Sequence, residues 1–139
     1  MAGKTYNPKK VLLTFGGIPI SGFAKGTFIK VTPSADTYTK YVGADGEVAR
    51  AQSSDDTSSV EITLMKTSDS NAYLNTIKES DKLIGDGVLP LSITDLSTGQ
   101  EVMFWAQAWI KKAPDKEYGD DVPTRNWTFD TGQATSGSN

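Results

Sequence analysis

Most of the chain is written in short runs whose apolar residues recur at every second position, each run closed by glycine, proline or a polar cluster. Alternation of period two puts successive side chains on opposite faces of an extended chain, so such runs ask for strands that each bury one face. "KVLLTF" sets Val11, Leu13 and Phe15 against Lys10, Leu12 and Thr14, and Gly16 and Gly17 follow as a turn. "IPIS", with Ile18, Pro19 and Ile20, resumes the extended path; Pro19 has no N–H to give a ladder, which puts this piece at an edge or a bulge. Beyond Gly22, Phe23 and Gly26, "TFIKVTP" sets Ile29 and Val31 against Phe28, Lys30 and Thr32. Residues 14–28 therefore predict a ribbon of short strands joined by glycine kinks, a device that lets a sheet bend sharply or change partners.

The middle of the chain continues the pattern and then breaks it once. "DTYTKYVG" and "GEVARAQ" flank the turn "GADG", which holds Ala44, Asp45 and Gly46. In "SVEITLM" Val60, Ile62 and Leu64 share one face while Glu61 and Thr63 oppose them, so one side is buried and the other wet. The polar gap "QSSDDTSS", with Asp55 and Asp56, reads either as a solvated loop or as a protruding contact loop. The exception is "SDSNAYLNTIKESDKLIGDG": Ser and Asp at capping positions, Tyr73, Leu74, Ile77 and Ile84 at helical intervals, and Gly85 and Gly87 as the stop. With Asn75, Lys78, Glu79 and Lys82 outward, this helix should flank the sheet and cover apolar surface.

The last third returns to strands. "VLPLSITD", the turn "LSTGQ" and "EVMFWAQAWIKK" make a hairpin whose second arm carries Val102, Phe104, Ala106, Ala108 and Ile110 on one face, and Met103, Trp105 and Trp109 on the other. A strand apolar on both faces needs cover on both, from its own chain or from a neighbouring subunit. The loop "APDKEYGDDVPT" leads to "RNWTFDTGQ", where Trp127 and Phe129 share a face, and "QATSGSN" follows without a core-facing residue. The fold class expected is mainly β, a β-sandwich or barrel-like domain with one flanking α-helix. At 139 residues the chain is one domain, with polar arms at about 1–8 and 132–139.

Composition narrows the chemistry. There is no cysteine and no histidine, so disulfides, thiolate zinc sites, Ser-His-Asp and Cys-His nucleophiles are all absent, as is the side chain best suited to proton transfer near neutrality. A formal charge of -3 with only short lysine pairs, Lys9 and Lys10 or Lys111 and Lys112, argues against general attraction to nucleic acid. "MAGKTYNPKK" lacks the apolar core of a signal peptide and no window has the roughly 18 apolar residues of a membrane helix, so neither secretion by that route nor membrane insertion is expected. Asp115, Glu117, Asp120 and Asp121 form the densest acidic constellation; their spacing does not match a calcium loop, and Lys112, Lys116 and Arg125 are near enough in sequence to neutralise them. The glycines of "FGGIPISGFAKG" match neither phosphate-binding fingerprint, and no helix follows them. Trp105, Trp109 and Trp127 are readable as a sugar-stacking platform or, as is commoner for aromatics on strands, as core or subunit interface.

Three stretches, "FGGIPISGFAKGTFIKV", "GADGEVARAQSSDDTSSVEITLMKTSDSN" and "YGDDVPTRNWTFDTGQ", together spanning most of the chain, resemble the tail tube proteins of long-tailed bacteriophages with contractile tails. Such proteins are similar to the type VI secretion tube protein. The resemblance implies a single β domain with a flanking helix, six copies of which make a ring with a continuous β-barrel as inner wall, the rings stacking into a tube that conducts DNA. It implies no catalytic residue, cofactor or metal. The expected partners are other copies of the chain, the tail sheath and the tape-measure protein, with DNA passing through unbound; the protein would be made in the host cytoplasm and end in the virion tail. Interface residues expected on this basis are Phe15, Gly16, Gly17, Ile18, Pro19, Ile20 and Phe23 in the opening ribbon, Ala44, Asp45, Gly46, Asp55 and Asp56 in a hairpin reaching the next ring, and Trp105 and Trp109. The competing expectation is a monomeric β-sandwich module that binds carbohydrate or a host surface.

Overall fold

A computed structural model describes residues 5–97 and 101–134. Among them the alternating runs become nine strands and the helical run one helix: β1 (Val11–Phe15), β2 (Ile18–Ile20), β3 (Ile29–Pro33), β4 (Tyr38–Val42), β5 (Val48–Gln52), β6 (Ser58–Met65), α1 (Ser70–Ile84), β7 (Leu89–Asp95), β8 (Glu101–Lys112) and β9 (Thr124–Thr131). Seven of the strands form one antiparallel sheet in the order β2-β1-β7-β8-β9-β6-β3, and β4 with β5 forms a separate ribbon. Gly16 (φ 64°) and Gly17 (φ 81°) are the two left-handed residues of the β1–β2 turn, a conformation that side chains resist and that matches the twist of a tight hairpin. Pro19 lies in β2, the terminal strand of the order.

The sheet curls over on itself without closing. In a flat sheet β1 and β9, separated by β7 and β8, would stand about 14 Å apart, three strand spacings; instead the rings of Phe15 and Phe129 meet edge to face with centroids 4.9 Å apart. Both rings are fully buried, in one core with Leu13, Ile62, Leu91 and Trp127. The result is the mainly β, sandwich or barrel-like domain with a flanking helix that the residue pattern predicts.

Helix α1 is fastened at its start. The Ser70 backbone N–H donates to Ser68 Oγ (3.2 Å), so Ser68 serves as the capping side chain and Asp69, in helical conformation, makes no side-chain cap. Asn71 Nδ2 donates to the carbonyls of Met65 and Ser68, and the indole of Trp127 donates to Asn71 Oδ1 at 2.9 Å, tying the first turn to β6 and β9. Leu74 is fully buried and the Tyr73 hydroxyl donates to the Phe15 carbonyl at 2.7 Å. Gly85 ends the helix in the left-handed conformation. Ile84 does not join the buried stripe: at 74% exposed, next to Leu83 at 83%, it lies in a last turn that runs beyond the surface the helix covers.

Strand β8 departs from strict alternation. Leu91 pairs with Trp105 but Leu89 pairs with Ala108, so an extra residue is inserted between Trp105 and Ala108. This bulge switches the faces partway along the strand. Trp105 and Ala108 therefore point into the same core, while Val102 (44% exposed) and Phe104 (37%) face outward. The two-faced pattern is real, but its members are not those that unbroken alternation assigns. At the C-terminal side, the Gly132 N–H donates to the Gln107 carbonyl at 2.7 Å and Ala134 bridges Trp105. The turn "LSTGQ" lies partly, and the ends of both polar arms (1–4 and 135–139) wholly, outside the described residues.

Candidate assembly surfaces

The ribbon of β4 and β5 is the part of the molecule least accounted for by the domain's own core. All ten of its strand residues are exposed, Tyr41 at 71%, Val48 at 63% and Val42 at 54%. A lone two-stranded hairpin is marginal in water, because neither of its faces is covered. Its tip is well made: the Gly43 N–H donates to the Glu47 carbonyl (2.7 Å), Asp45 Oδ1 accepts from the Glu47 N–H (3.0 Å), and Gly46 takes φ 88°. Alternation along the paired strands puts Thr39, Tyr41, Ala49 and Ala51 on one uncharged face, and Tyr38, Lys40, Val42, Val48 and Arg50 on the other. Composition did not reveal this second face; the alternating runs "TYTKYV" and "EVARAQ", neither with enough apolar residues for a core face, are the signal that would have found it.

At its base the ribbon is fixed to the sheet. The Ser34 N–H donates to the Thr57 carbonyl (3.0 Å), the Asp56 N–H to Gln133 Oε1 (2.7 Å) and the Ser58 N–H to Thr131 Oγ1 (2.9 Å). The polar stretch "QSSDDTSS" is thus not a free loop throughout, since Ser58 and Ser59 are paired strand residues of β6. The Asp55 carboxyl accepts from the hydroxyl (2.6 Å) and the backbone N–H (2.9 Å) of Thr57, which hold its pKa below the ordinary aspartate value.

The residues expected at subunit contacts fall into three groups. Phe15, Ile20 and Trp105 are spent in the core, at 0%, 4% and 2% exposure, and have no surface left for a neighbour; alternation identifies an apolar face but not which of two faces closes over it. Trp127 is likewise buried at 3%, so no platform of three tryptophans forms. Gly17, Ile18, Pro19, Ala44, Asp45, Gly46, Asp55 and Asp56 are at the surface, whereas Gly16, Phe23 and Trp109 are half-buried, Phe23 against Phe28 with centroids 5.0 Å apart. On the outer face of β1 and β8, surface apolar residues outside the expected set include Leu12 (50%), Val102 and Phe104; the register places Leu12, Thr94 and Val102 in one row across β1, β7 and β8.

Two further features complete the surface. An apolar groove of about 1110 Å³ opens between β3 and the ends of β1, β7 and β8, with Ile29, Val31 and Phe23 on one bank and Val11, Ile93 and Met103 on the other; it is the seam along which the curled sheet does not close. The two terminal strands of the sheet order, β2 and β3, each pair on one side only among the described residues. The loop 113–123 carries Asp115, Glu117, Asp120 and Asp121, all exposed. Sequence proximity to Lys112, Lys116 and Arg125 does not neutralise them: the ion pairs among the described residues are Lys78–Glu79 and Lys111–Asp130. Arg125 instead is 6% exposed, donates to the carbonyls of Thr124 (2.9 Å) and Glu117 (3.5 Å), and lies 5.4 Å from the centroid of the Tyr118 ring, so it anchors the loop without pairing its acids. No group of three or more Asp and Glu among the described residues is arranged to hold a metal ion, and no described helix is long and apolar enough to cross a membrane.

A β domain with an exposed ribbon and two singly paired edge strands among the described residues has the anatomy of a building block, and sequence comparison agrees. Residues 18–136 match the family described as the bacteriophage PhiTE tail tube protein. The chain belongs to this phage tail tube family. Its role is structural and its place is the virion. A curated relative, structural protein ORF10 of Pseudomonas phage KPP10, is 30% identical to this tail tube protein, over 93% of this chain and 80% of that protein. The fold is shared with chains from two larger assemblies. One is in the anti-feeding prophage cap, a tube-terminating cap, with TM-score 0.67, 10% identity and coverage of 97% of this chain and 92% of that one. The other is in the PVC sheath-tube complex of an extracellular contractile injection system in its extended state, with TM-score 0.62, 12% identity and coverage of 94% and 90%.

Proposed function

We propose that this tail tube protein is the repeating subunit of a contractile phage tail, closing with copies of itself into rings, six-membered on the family resemblance, that stack into the conduit for DNA. It acts by shape and charge and turns over no substrate. The observation that carries this reading is the β4–β5 ribbon, ten exposed strand residues that the chain's own core leaves uncovered. The singly paired edge strands β2 and β3 supply the means of lateral closure, because a ring joins each open edge to the next subunit and removes both. The acidic balance of the chain suits a lumen through which DNA slides without adhering. The sheath on the outside and a tape-measure protein within are the partners such a tube requires, and assembly follows synthesis in the host cytoplasm.

Sedimentation velocity and negative-stain imaging of the purified protein across a concentration series test this. Rings or tubes with end-on views that give the symmetry are the expected result. A species that stays monomeric at every concentration refutes it, and retention of that monomer on a glycan column would favour the carbohydrate-binding alternative.

A further inference from the structure

On the charged face of the β4–β5 ribbon, Lys40 and Arg50 are direct cross-strand partners. Like charges placed directly opposite destabilise a pair of strands, and this ribbon has little stability to lose. Arg50 is held with its guanidinium 3.9 Å above the centroid of the Tyr38 ring, which orients the charge but does not neutralise it. Neither cation has a carboxylate within ion-pair distance among the described residues, although Asp45 and Glu47 lie at the nearby tip. The complementary surface on this chain is the loop 113–123, with four exposed carboxylates against the single Lys116.

Those two surfaces are at opposite ends of the same strands. The ribbon leaves β3 at Pro33 and returns to β6 at Ser58, which are paired with each other. The acidic loop enters β9 at Thr124, whose partner is Met65 at the other end of β6, and the Lys66 N–H donates to the Pro123 carbonyl there at 2.9 Å. Eight residues of β6 separate the two sites by roughly 23 Å. Within one molecule the opposite charges cannot meet, but in copies arranged head to tail along the strand direction they face each other, and such a contact repeats without closing.

We infer that Lys40 and Arg50 of one copy dock on the acidic 113–123 loop of another, making the axial contact between stacked rings an ionic one. This rests on the tube reading above and names the surfaces that would join its rings. The two partners are complementary in charge and each is exposed, so the contact assembles from surfaces already formed.

The test is a charge swap, read as tube length by negative stain. K40E/R50E reverses the ribbon, D120K/D121K reverses the loop, and a quadruple variant carries both changes. All four substituted positions are exposed, and circular dichroism and thermal melting of each variant establish that the fold is unchanged. Each single-surface reversal should shorten tubes about tenfold or leave isolated rings, and the quadruple variant should restore wild-type length to within about twofold. Wild-type tubes should also shorten between 0.1 M and 1 M salt, as the screening length falls from about 10 Å to about 3 Å. If the wild type makes tubes and both reversed variants make tubes of the same length, the ionic contact is wrong while the tube reading stands. If the wild type makes neither rings nor tubes under any condition, the tube reading itself fails and the inference falls with it.

Discussion

Replacing Phe15 and Phe129 by leucine, singly and together, tests whether the sheet folds over on itself. Both rings are fully buried, and their edge-to-face contact at 4.9 Å joins strands that are not neighbours in the sheet. Each Phe→Leu change keeps an apolar side chain of similar volume and should cost about 1–1.5 kcal/mol. An aromatic pair in this geometry contributes about 0.5–1.5 kcal/mol beyond the area it buries. That increment is lost with the first substitution and cannot be lost again, so the double variant should be about 1 kcal/mol more stable than the sum of the singles requires. With a urea dependence of about 2 kcal/mol per molar, its unfolding midpoint should stand roughly 0.5 M above the additive position. The assay is urea denaturation at a concentration where sedimentation shows monomer, because assembly would add its own stabilisation. Were the sheet open, β1 and β9 would be about 14 Å apart and the two changes would add to within about 0.3–0.5 kcal/mol. Additivity of that kind refutes the curled sheet and the single core argued from it.

Two smaller perturbations probe local claims. Gly22 has φ 77°, and a Cβ there would stand 2.5 Å from Cβ of buried Ser68, so Gly22→Ala should cost about 1–2 kcal/mol for the left-handed backbone alone and more for the overlap; a melting temperature equal to that of the wild type would contradict this. Asp55 should titrate, by carboxyl NMR, below the ordinary aspartate value of 3.8, and Thr57→Val, which removes the hydroxyl donor but keeps the N–H, should move the midpoint partway back. Because the folded pKa is the lower one, the stabilisation from this carboxylate is present above that ordinary value and disappears as pH falls through the folded pKa, so an unchanged midpoint in the valine variant would show the hydroxyl to be irrelevant.

The residue pattern by itself determined the elements. Period-two runs made strands, the one run of helical period made α1, and the left-handed turn at Gly16 and Gly17 follows from the one residue type that, lacking a side chain, adopts it without cost. These are local consequences, decided within a few residues, and so they are legible without knowing what packs on what. The exposed tip at Ala44, Asp45 and Gly46 was legible for the same reason. What only the tertiary structure decided is which apolar face becomes core. The bulge in β8 brought Ala108 to the buried side beside Trp105, which depends on the register β8 adopts against β7, and the curl of the sheet buried Phe15 against Phe129, which depends on strands far apart in the chain. The opposition of Lys40 to Arg50, and their separation from the acidic loop by the length of β6, belong to the same class: register and direction exist only once strands have met.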